Sequence, residues 1–408
     1  MARVISASLS PNTQRDDVAL AAYTLLRPWM WKQGREVAKA EAWFADYFSA
    51  ATAVSFNSGR SALLALLQSF GIDKGDEVIL QAFTCVAVPN SILWAGATPV
   101  FVDIDDSYNL DPKDVAQKIT KRTKAIIVQH TFGVPANMDA VMVLAKEHNL
   151  ILIEDCAHSL GAVYKGGKVG TFGDAAFFSF GRDKVLSSVW GGIAIVNNNT
   201  KQDSAAAQLR LHQESLPVPH GFWILQQLVH PVAFSLILAT YTLGFGKALL
   251  VALQKLKLLS FPVYPEEKQG KQPQDFPARY PNALAVLLLH QLKKLEAYNQ
   301  QRQSITKYYE KALAARGKRS KVQRVKGAIF LRFPLEVNKP KELIKHAKNR
   351  GILLGNWYHN VIDPMGVEFE AVGYVKGSCP KAEKAAAHIV NLPTLVTPLQ
   401  AKRVIELF

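Results

Sequence analysis

Residues 151–192 read ILIEDCAHSLGAVYKGGKVGTFGDAAFFSFGRDKVLSSVWGG and limit the fold more than any other stretch of the chain. They open with an apolar, mostly branched run that stops abruptly at Glu154 and Asp155, the pattern of a buried parallel strand delivering a carboxylate at its carboxyl end. Open α/β sheets bind their ligands at that end. A second strand-like run, AAFFSF, carries Ser179 and leads through a short polar loop to Lys184, after which Gly191 and Gly192 begin another apolar run. One carboxylate, one hydroxyl and one lysine are therefore presented on consecutive sheet edges.

Upstream, AVSFNSGRSALLALLQSFGI reads as a short strand that turns through Asn57, Ser58 and Gly59 into an apolar helix. Free backbone N–H groups at such a start, together with the helix dipole, favour an anion. An ordinary capped turn before a core helix has the same pattern. The sheet-edge groups suit pyridoxal phosphate, which needs an amine to hold it as a Schiff base, a carboxylate against its ring nitrogen and donors for its phosphate. Lys184, Asp155 and Ser179 fit those roles in that order. Taken singly, a helix-capping aspartate and a solvated loop lysine account for two of them as well.

The stretch resembles the core of the DegT/DnrJ/StrS family of pyridoxal-phosphate-dependent sugar aminotransferases, where an IEDAAQA-type strand end precedes a GD-x-x-x-FSF-x-x-x-K segment and a Gly-Gly strand start. Here IEDCAHS, GDAAFFSFGRDK and Gly191-Gly192 match in order and spacing, and GDEVI, GATPVFVDID and NLDP also have counterparts. The resemblance implies an α/β protein of the fold type I class, with a mostly parallel seven-stranded sheet between helices in a large domain and a smaller C-terminal α+β domain. It implies that Lys184 is the Schiff-base lysine, Asp155 the pyridinium partner and Ser179 a phosphate ligand. By position it adds Gly59, Arg60 and Ser61 at the phosphate, with Arg60 where the family has threonine.

Other positions depart from the family. Cys85 stands where an aromatic ring usually stacks on the cofactor; its sulfur can pack on the ring face, with Phe83 as a candidate substitute. His158 stands where the family often has a glutamine that reaches the cofactor's ring hydroxyl; an imidazole can make that contact, its charge state then tuning the Schiff base, and a histidine capping a helix fits the residue equally. Gly181 and Trp190 also differ, on the side where the acceptor would lie. Asn137 replaces an aspartate in a segment, with His130, that reads as architecture supporting the pocket. No metal-ligand set is apparent.

The activity implied is transfer of an amino group, with glutamate as donor, to a keto sugar, most plausibly nucleotide-linked, in surface-glycan or amino-sugar biosynthesis, by a homodimer with shared active sites. A dehydratase branch of the family replaces the lysine with histidine, so Lys184 argues against that chemistry. A non-catalytic, membrane-attached scaffold or sensor is the rival of a different class. Arg60, Cys85 and Trp190 favour it; Asp155 and Lys184 oppose it.

A chain of 408 residues, 49% hydrophobic and 20% charged, is long and apolar enough for a large buried core. Three cysteines without regular spacing give no disulfide framework and point to a reducing compartment. The start MARVISASLSPNTQRDD lacks the apolar core of an export signal, so a cytoplasmic location is expected. The formal charge of +15 calls for an anionic partner. No zinc-finger, helix-turn-helix or RNA-binding signature accompanies it, which disfavours nucleic acid.

Residues 221–262 are the most apolar part of the chain, and Lys247, Lys255 and Lys257 are their only formally charged residues. GKALLVALQKLKLL has the pattern of a helix lying in an anionic membrane interface, peripheral at the inner face. An arm buried against a second subunit fits the same residues. Three units are expected: 1–215 as the cofactor-binding domain with an N-terminal helical segment, 216–280 as the apolar, basic insertion and linker, and 281–408 as the small domain.

Overall fold

A computed structural model of the chain describes residues 4–198, 200, 203–241, 244–323 and 325–408. Seven strands form the central sheet: β1 (Thr52–Phe56), β2 (Glu77–Gln81), β3 (Thr98–Val102), β4 (Thr123–Gln129), β5 (Ile151–Asp155), β6 (Ala175–Ser179) and β7 (Gly192–Val196). Their spatial order is β1-β7-β6-β5-β4-β2-β3. Only β7 is antiparallel to its neighbours, β1 and β6; the remaining pairs are parallel. The strands are continuous apolar runs, not alternating ones, because helices cover both faces.

Helices α1 (Arg15–Leu25) and α2 (Glu36–Phe48) precede the sheet, and α3 (Gly59–Ser69), α4 (Ala87–Trp94), α5 (Pro112–Lys118) and α6 (Met138–Glu147) lie in its crossovers. After β7, α7 (Asp203–Ser215) packs on α3. The apolar insertion forms a hairpin of α8 (Gly221–Thr240) and α9 (Phe245–Lys255). Gly246 lets the two helices touch, since a Cβ there would lie 2.2 Å from the Ile237 carbonyl oxygen. The hairpin has its own small cluster, with Ala233, Phe234, Ile237 and Leu259 buried and Leu249, Leu250 and Leu253 packed against them.

After the hairpin come two helices, α10 (Asn282–Leu292) and α11 (Leu295–Ala314), broken at Lys293 and Lys294. Helix α10 packs on α1, α2 and α8, and its Leu284, Leu287 and Leu288 share a core with Phe178 and Phe180 of the sheet side. Helix α11 joins the two parts: Leu295 and Tyr298 belong to that core, whereas Ile305 and Tyr309 pack with Phe333 and Leu392 of the C-terminal part. The N-terminus reaches the C-terminal part too, because Ile5 and Ser6 pair in parallel with Ile352 and Leu353.

The C-terminal part contains β8 (Arg332–Glu336), α12 (Pro340–Asn349), α13 (Pro380–His388), β9 (Ile389–Pro393) and α14 (Pro398–Ile405), with β8 antiparallel to β9. Strand β9 separates α13 from α14, and its branched Ile389 and Val390 favour a strand. The chain then restarts as α14 behind a capping box of Thr397 and Gln400 with Pro398 in the first turn.

Candidate active site

Strand β5 ends with two carboxylates that point to opposite faces, as successive strand residues must. Glu154 is fully buried and accepts hydrogen bonds from the N–H groups of Gly170 (2.8 Å), Phe172 (2.7 Å) and Gly173 (2.9 Å). His130, whose Nδ1 accepts from Ala136 N at 3.1 Å, uses Nε2 to meet Glu154 at 3.1 Å. This pair is scaffolding, as expected for His130. Asp155 faces the other way, takes only the Ala157 N–H at 2.9 Å on Oδ1, and has no hydrogen bond to Oδ2 among the described residues. Burial raises its pKa above the usual carboxylate value, with the Ala157 N–H, Lys184 and His130 pulling the other way.

Lys184 lies on the loop that follows β6, and its Nζ is 3.1 Å from His158 Nε2. The His158 ring is parallel to Phe132, with an interplanar angle of 3°, and its Nδ1 accepts from Phe132 N at 3.4 Å. Burial, then the positive charges of Lys184 and Arg332, hold the His158 pKa well below its ordinary value. That shift favours the neutral ring beside the amine.

The loop of residues 181–190 is fastened from several distant parts of the chain. Asn12 Nδ2 donates to the Lys184 carbonyl at 3.1 Å, and Arg302 Nη2 on α11 donates to that of Val185 at 2.8 Å. Arg332 Nη2, at the start of β8, reaches Asp183 Oδ2 at 3.0 Å. The Arg332 guanidinium lies over Trp357 and is buried, with Nε and Nη1 unpartnered. Local sequence gives no signal for these partners, because they lie far from residue 184 in the chain.

The helix start beside this loop forms a cradle. Ser58 caps α3, its Oγ accepting from Ser61 N at 3.1 Å, and Ser61 Oγ donates to Asn57 Oδ1 at 2.8 Å. A Cβ on Gly59 would fall 2.8 Å from Ser179 Cβ, and one on Gly192 would fall 2.4 Å from the Ser58 carbonyl oxygen. Glycine at both positions brings the helix N-terminus down onto the ends of β6 and β7. Ser179, Gly59 and Ser61 are thereby assembled at one point. The N–H groups of the first turn have no partners within the helix, which suits a phosphate.

Two sequence expectations are corrected here. The Arg60 guanidinium is not offered to a phosphate at the cradle. It pairs with buried Glu267, donates to the Pro262 carbonyl at 2.9 Å, and lies over the rings of Trp190 and Phe276. Arg60 contributes its backbone N–H to the helix start, while its side chain ties α3 to the segment after the hairpin. Phe83 is no substitute for a ring at position 85 either, since it is fully buried among Tyr108, Phe132 and Tyr358.

Cys85 is half-buried on a two-residue strand that pairs with Ile362 and Asp363, and burial pushes its thiol pKa up. Sequence reasoning missed Tyr358, a buried residue whose ring lies 6.1 Å from that of His158 at an interplanar angle of 22°. No motif surrounds it in the sequence.

A family model described as the DegT/DnrJ/EryC1/StrS aminotransferase family matches residues 12–220 and 254–408, leaving out most of the hairpin. The chain is 39% identical over 196 residues to a GDP-perosamine synthase of Escherichia coli O157:H7, covering 48% of this chain and 53% of that protein. It is 30% identical over 365 residues to a pleiotropic regulatory protein of Geobacillus stearothermophilus, covering 88% and 84%. The match spans about half the length of most of the curated relatives. Among solved structures, S. venezuelae DesV superposes with a TM-score of 0.75 at 26% identity, over 100% of this chain and 98% of that one. The fold is thus that of the pyridoxal-phosphate-dependent type I aminotransferases, as the sequence led us to expect.

Proposed function

This chain belongs to the DegT/DnrJ/EryC1/StrS aminotransferase family, for which pyridoxal phosphate is the cofactor, and from that premise we propose that it aminates a keto sugar. The named activities of relatives, among them GDP-perosamine synthase and a dTDP-3-amino-3,6-dideoxy-galactopyranose transaminase, support a nucleotide-linked acceptor. Glutamate is the proposed donor, a homodimer the proposed assembly and the cytoplasm the proposed location. The observation that carries the reading is the convergence of the Asp155 carboxyl, the Lys184 amine and the Gly59–Ser179 cradle at one sheet edge.

The residues present fit the cofactor. When bound, pyridoxal phosphate supplies an aldehyde for an amine and a ring that accepts electrons. Lys184 is the covalent anchor and afterwards the group that moves a proton at the substrate carbon. Asp155, with Oδ2 unengaged, keeps a proton on the ring nitrogen. Ser179, Ser61 and the N–H groups from Gly59 onward take the phosphate, and neutral His158 and half-buried Cys85 line the ring.

The test is to load the purified protein with pyridoxal phosphate, reduce with borohydride and map the label, then supply glutamate with a panel of nucleotide-linked keto sugars. We expect the label on Lys184 and amination of at least one sugar. A label elsewhere, or none, sinks the proposal. The Geobacillus relative carries a regulatory name, which favours a second reading as a non-catalytic regulator. Cofactor uptake without turnover of any sugar would point there.

For the hairpin we propose an anionic membrane surface at the inner face. Helix α9 buries only Gly246 and exposes Phe245 and Val251, while Leu256 beyond it is also exposed; the charges beside them are Lys247, Lys255 and Lys257. Helix α8 is long and apolar enough to cross a membrane, yet half of it is buried within the protein, which supports an interfacial placement. Flotation with anionic vesicles tests this, and no shift at low salt counts against it.

A further inference from the structure

The hairpin does more than present a surface, because its foot is bonded to both ends of the lysine loop. A serine hydroxyl has one hydrogen to donate and two lone pairs to accept with. Ser260 uses all three: its Oγ donates to Gln227 Oε1 at 2.7 Å and accepts from Trp190 Nε1 at 3.2 Å and from Arg182 Nη2. The Gln227 amide is held in this sense by its Nε2, which donates to the Trp223 carbonyl at 2.8 Å. A line of hydrogen bonds therefore runs from the backbone of α8 to Arg182 and Trp190, the residues that bracket Lys184.

Ser260, Gln227 and Trp190 are shielded from water, and Arg182 is partly so. Ser260 is 7% exposed, Gln227 0% and Trp190 5%. Ser260 is the hydrogen-bond partner of the Arg182 guanidinium among the described residues, and Arg182 Nε is buried without one. A partly buried guanidinium with one buried nitrogen unpartnered depends strongly on the hydrogen bond it does make. Asn12, Arg302 and Arg332 fasten residues 183–185, but none of them holds Arg182 or Trp190. The Trp190 ring also covers the Arg60 guanidinium, so the same foot bears on the helix start at the cradle.

We propose that Ser260 is a positioning residue for Lys184, and that the α8–α9 insertion is thereby part of the catalytic apparatus. The proposal rests on the reading of Lys184 as the anchoring amine. Ser260 itself lies within the residues that the family model matches, whereas its acceptor Gln227 lies in the stretch 221–253 that the match leaves out, so a residue particular to the insertion supports a loop that the match includes.

Two readouts on the full chain separate this proposal from that reading. The first is amide hydrogen exchange of residues 181–190 in cofactor-free protein. We expect Ser260→Ala to speed exchange there by about 10-fold, the effect of losing one buried hydrogen-bond partner, while β5 is unchanged. Gln227→Leu should do the same more weakly, and Ser260→Thr, which keeps the hydroxyl, should restore protection. The second is the pH titration of the visible absorbance of lysine-bound cofactor, together with kcat. Both should shift in Ser260→Ala and return in Ser260→Thr, with donor KM little changed.

Unaltered loop exchange in both Ser260→Ala and Gln227→Leu overturns the proposal, as does faster exchange with an unmoved titration and kcat. Failure of the unsubstituted protein to take up cofactor removes the functional reading and with it the positioning role, even where the exchange result shows the loop restraint to be real.

Discussion

The sheet edge and the hairpin draw on the same apolar residue types and use them in opposite ways. Around β5 and β6 nearly all the apolar residues are buried, and Glu154 has its carboxylate matched by four hydrogen bonds, with Asp155 Oδ2 left free toward the site. On α9, Leu249, Leu250 and Leu253 pack inward while Phe245 and Val251 stay outside, with lysines beside them. A region that must hold a charged group in a fixed place satisfies its polar atoms internally. A region that must meet an extended apolar surface leaves its apolar atoms unsatisfied. The two regions meet at residues 260–267, where Ser260 and Glu267 connect them.

The largest test of that division is Lys184→Ala. Amino transfer should fall by about 10²–10⁴-fold, the usual loss on removing a proton-transferring side chain, while vesicle binding is unchanged. Loss of vesicle binding as well would show that the regions are not separable. Next is the joint itself: Arg60→Met leaves Glu267 buried without its cation and should cost about 3–5 kcal/mol in denaturant unfolding. An effect below about 1 kcal/mol would mean that the ion pair does not couple α3 to the hairpin foot.

Replacing Lys247, Lys255 and Lys257 together with glutamine should lower partition onto anionic vesicles by roughly two orders of magnitude, at about 1 kcal/mol per lysine, with kcat preserved in solution. Unchanged partition would assign the exposed face to a protein partner.

The smallest effect is pH-dependent. His158 and His230 are both buried and held well below the ordinary histidine pKa, burial being the main cause. Between those depressed values and about pH 6.5 the unfolded chain binds protons that the folded one does not, so stability falls as pH drops through that window. Each histidine should contribute a slope of about 1.4 kcal/mol per pH unit. His158→Gln should remove one such slope at the sheet edge, and His230→Gln the other in the hairpin. The buried Asp155 and Asp363, whose pKa values are raised by burial, act in the opposite sense and only in the acid range above about pH 4. A slope that survives both substitutions would place the linkage elsewhere.

Much of the sheet and the cradle was legible because their signals are local. A branched run ending in Glu-Asp marks β5, and Ser58 before Gly59 marks the start of α3. What the sequence could not show depends on residues that meet only in three dimensions. The direction of the Arg60 side chain is set by Glu267, which lies 207 positions away. The break between α10 and α11 hides in a run of helix formers, and the packing of α10 against α1 and α2 joins residues from opposite ends of the chain. Tyr358 and Arg332 reach the site through tertiary placement alone. The departure at Trp190 looked like loss of function in the sequence, whereas in the fold it caps Arg60 and bonds Ser260.

The antiparallel position of β7 between β1 and β6 also governs when the site can exist. The edge strand at residues 52–56 stays unpaired until residues 192–196 have been synthesised and inserted, and contacts of such separation close late and slowly. Gly192 presses against Ser58 only once that insertion is complete. A nascent chain stopped before residue 192 would own the acid at 155 and the amine at 184 but no phosphate cradle, so cofactor capture becomes a report that the sheet has closed.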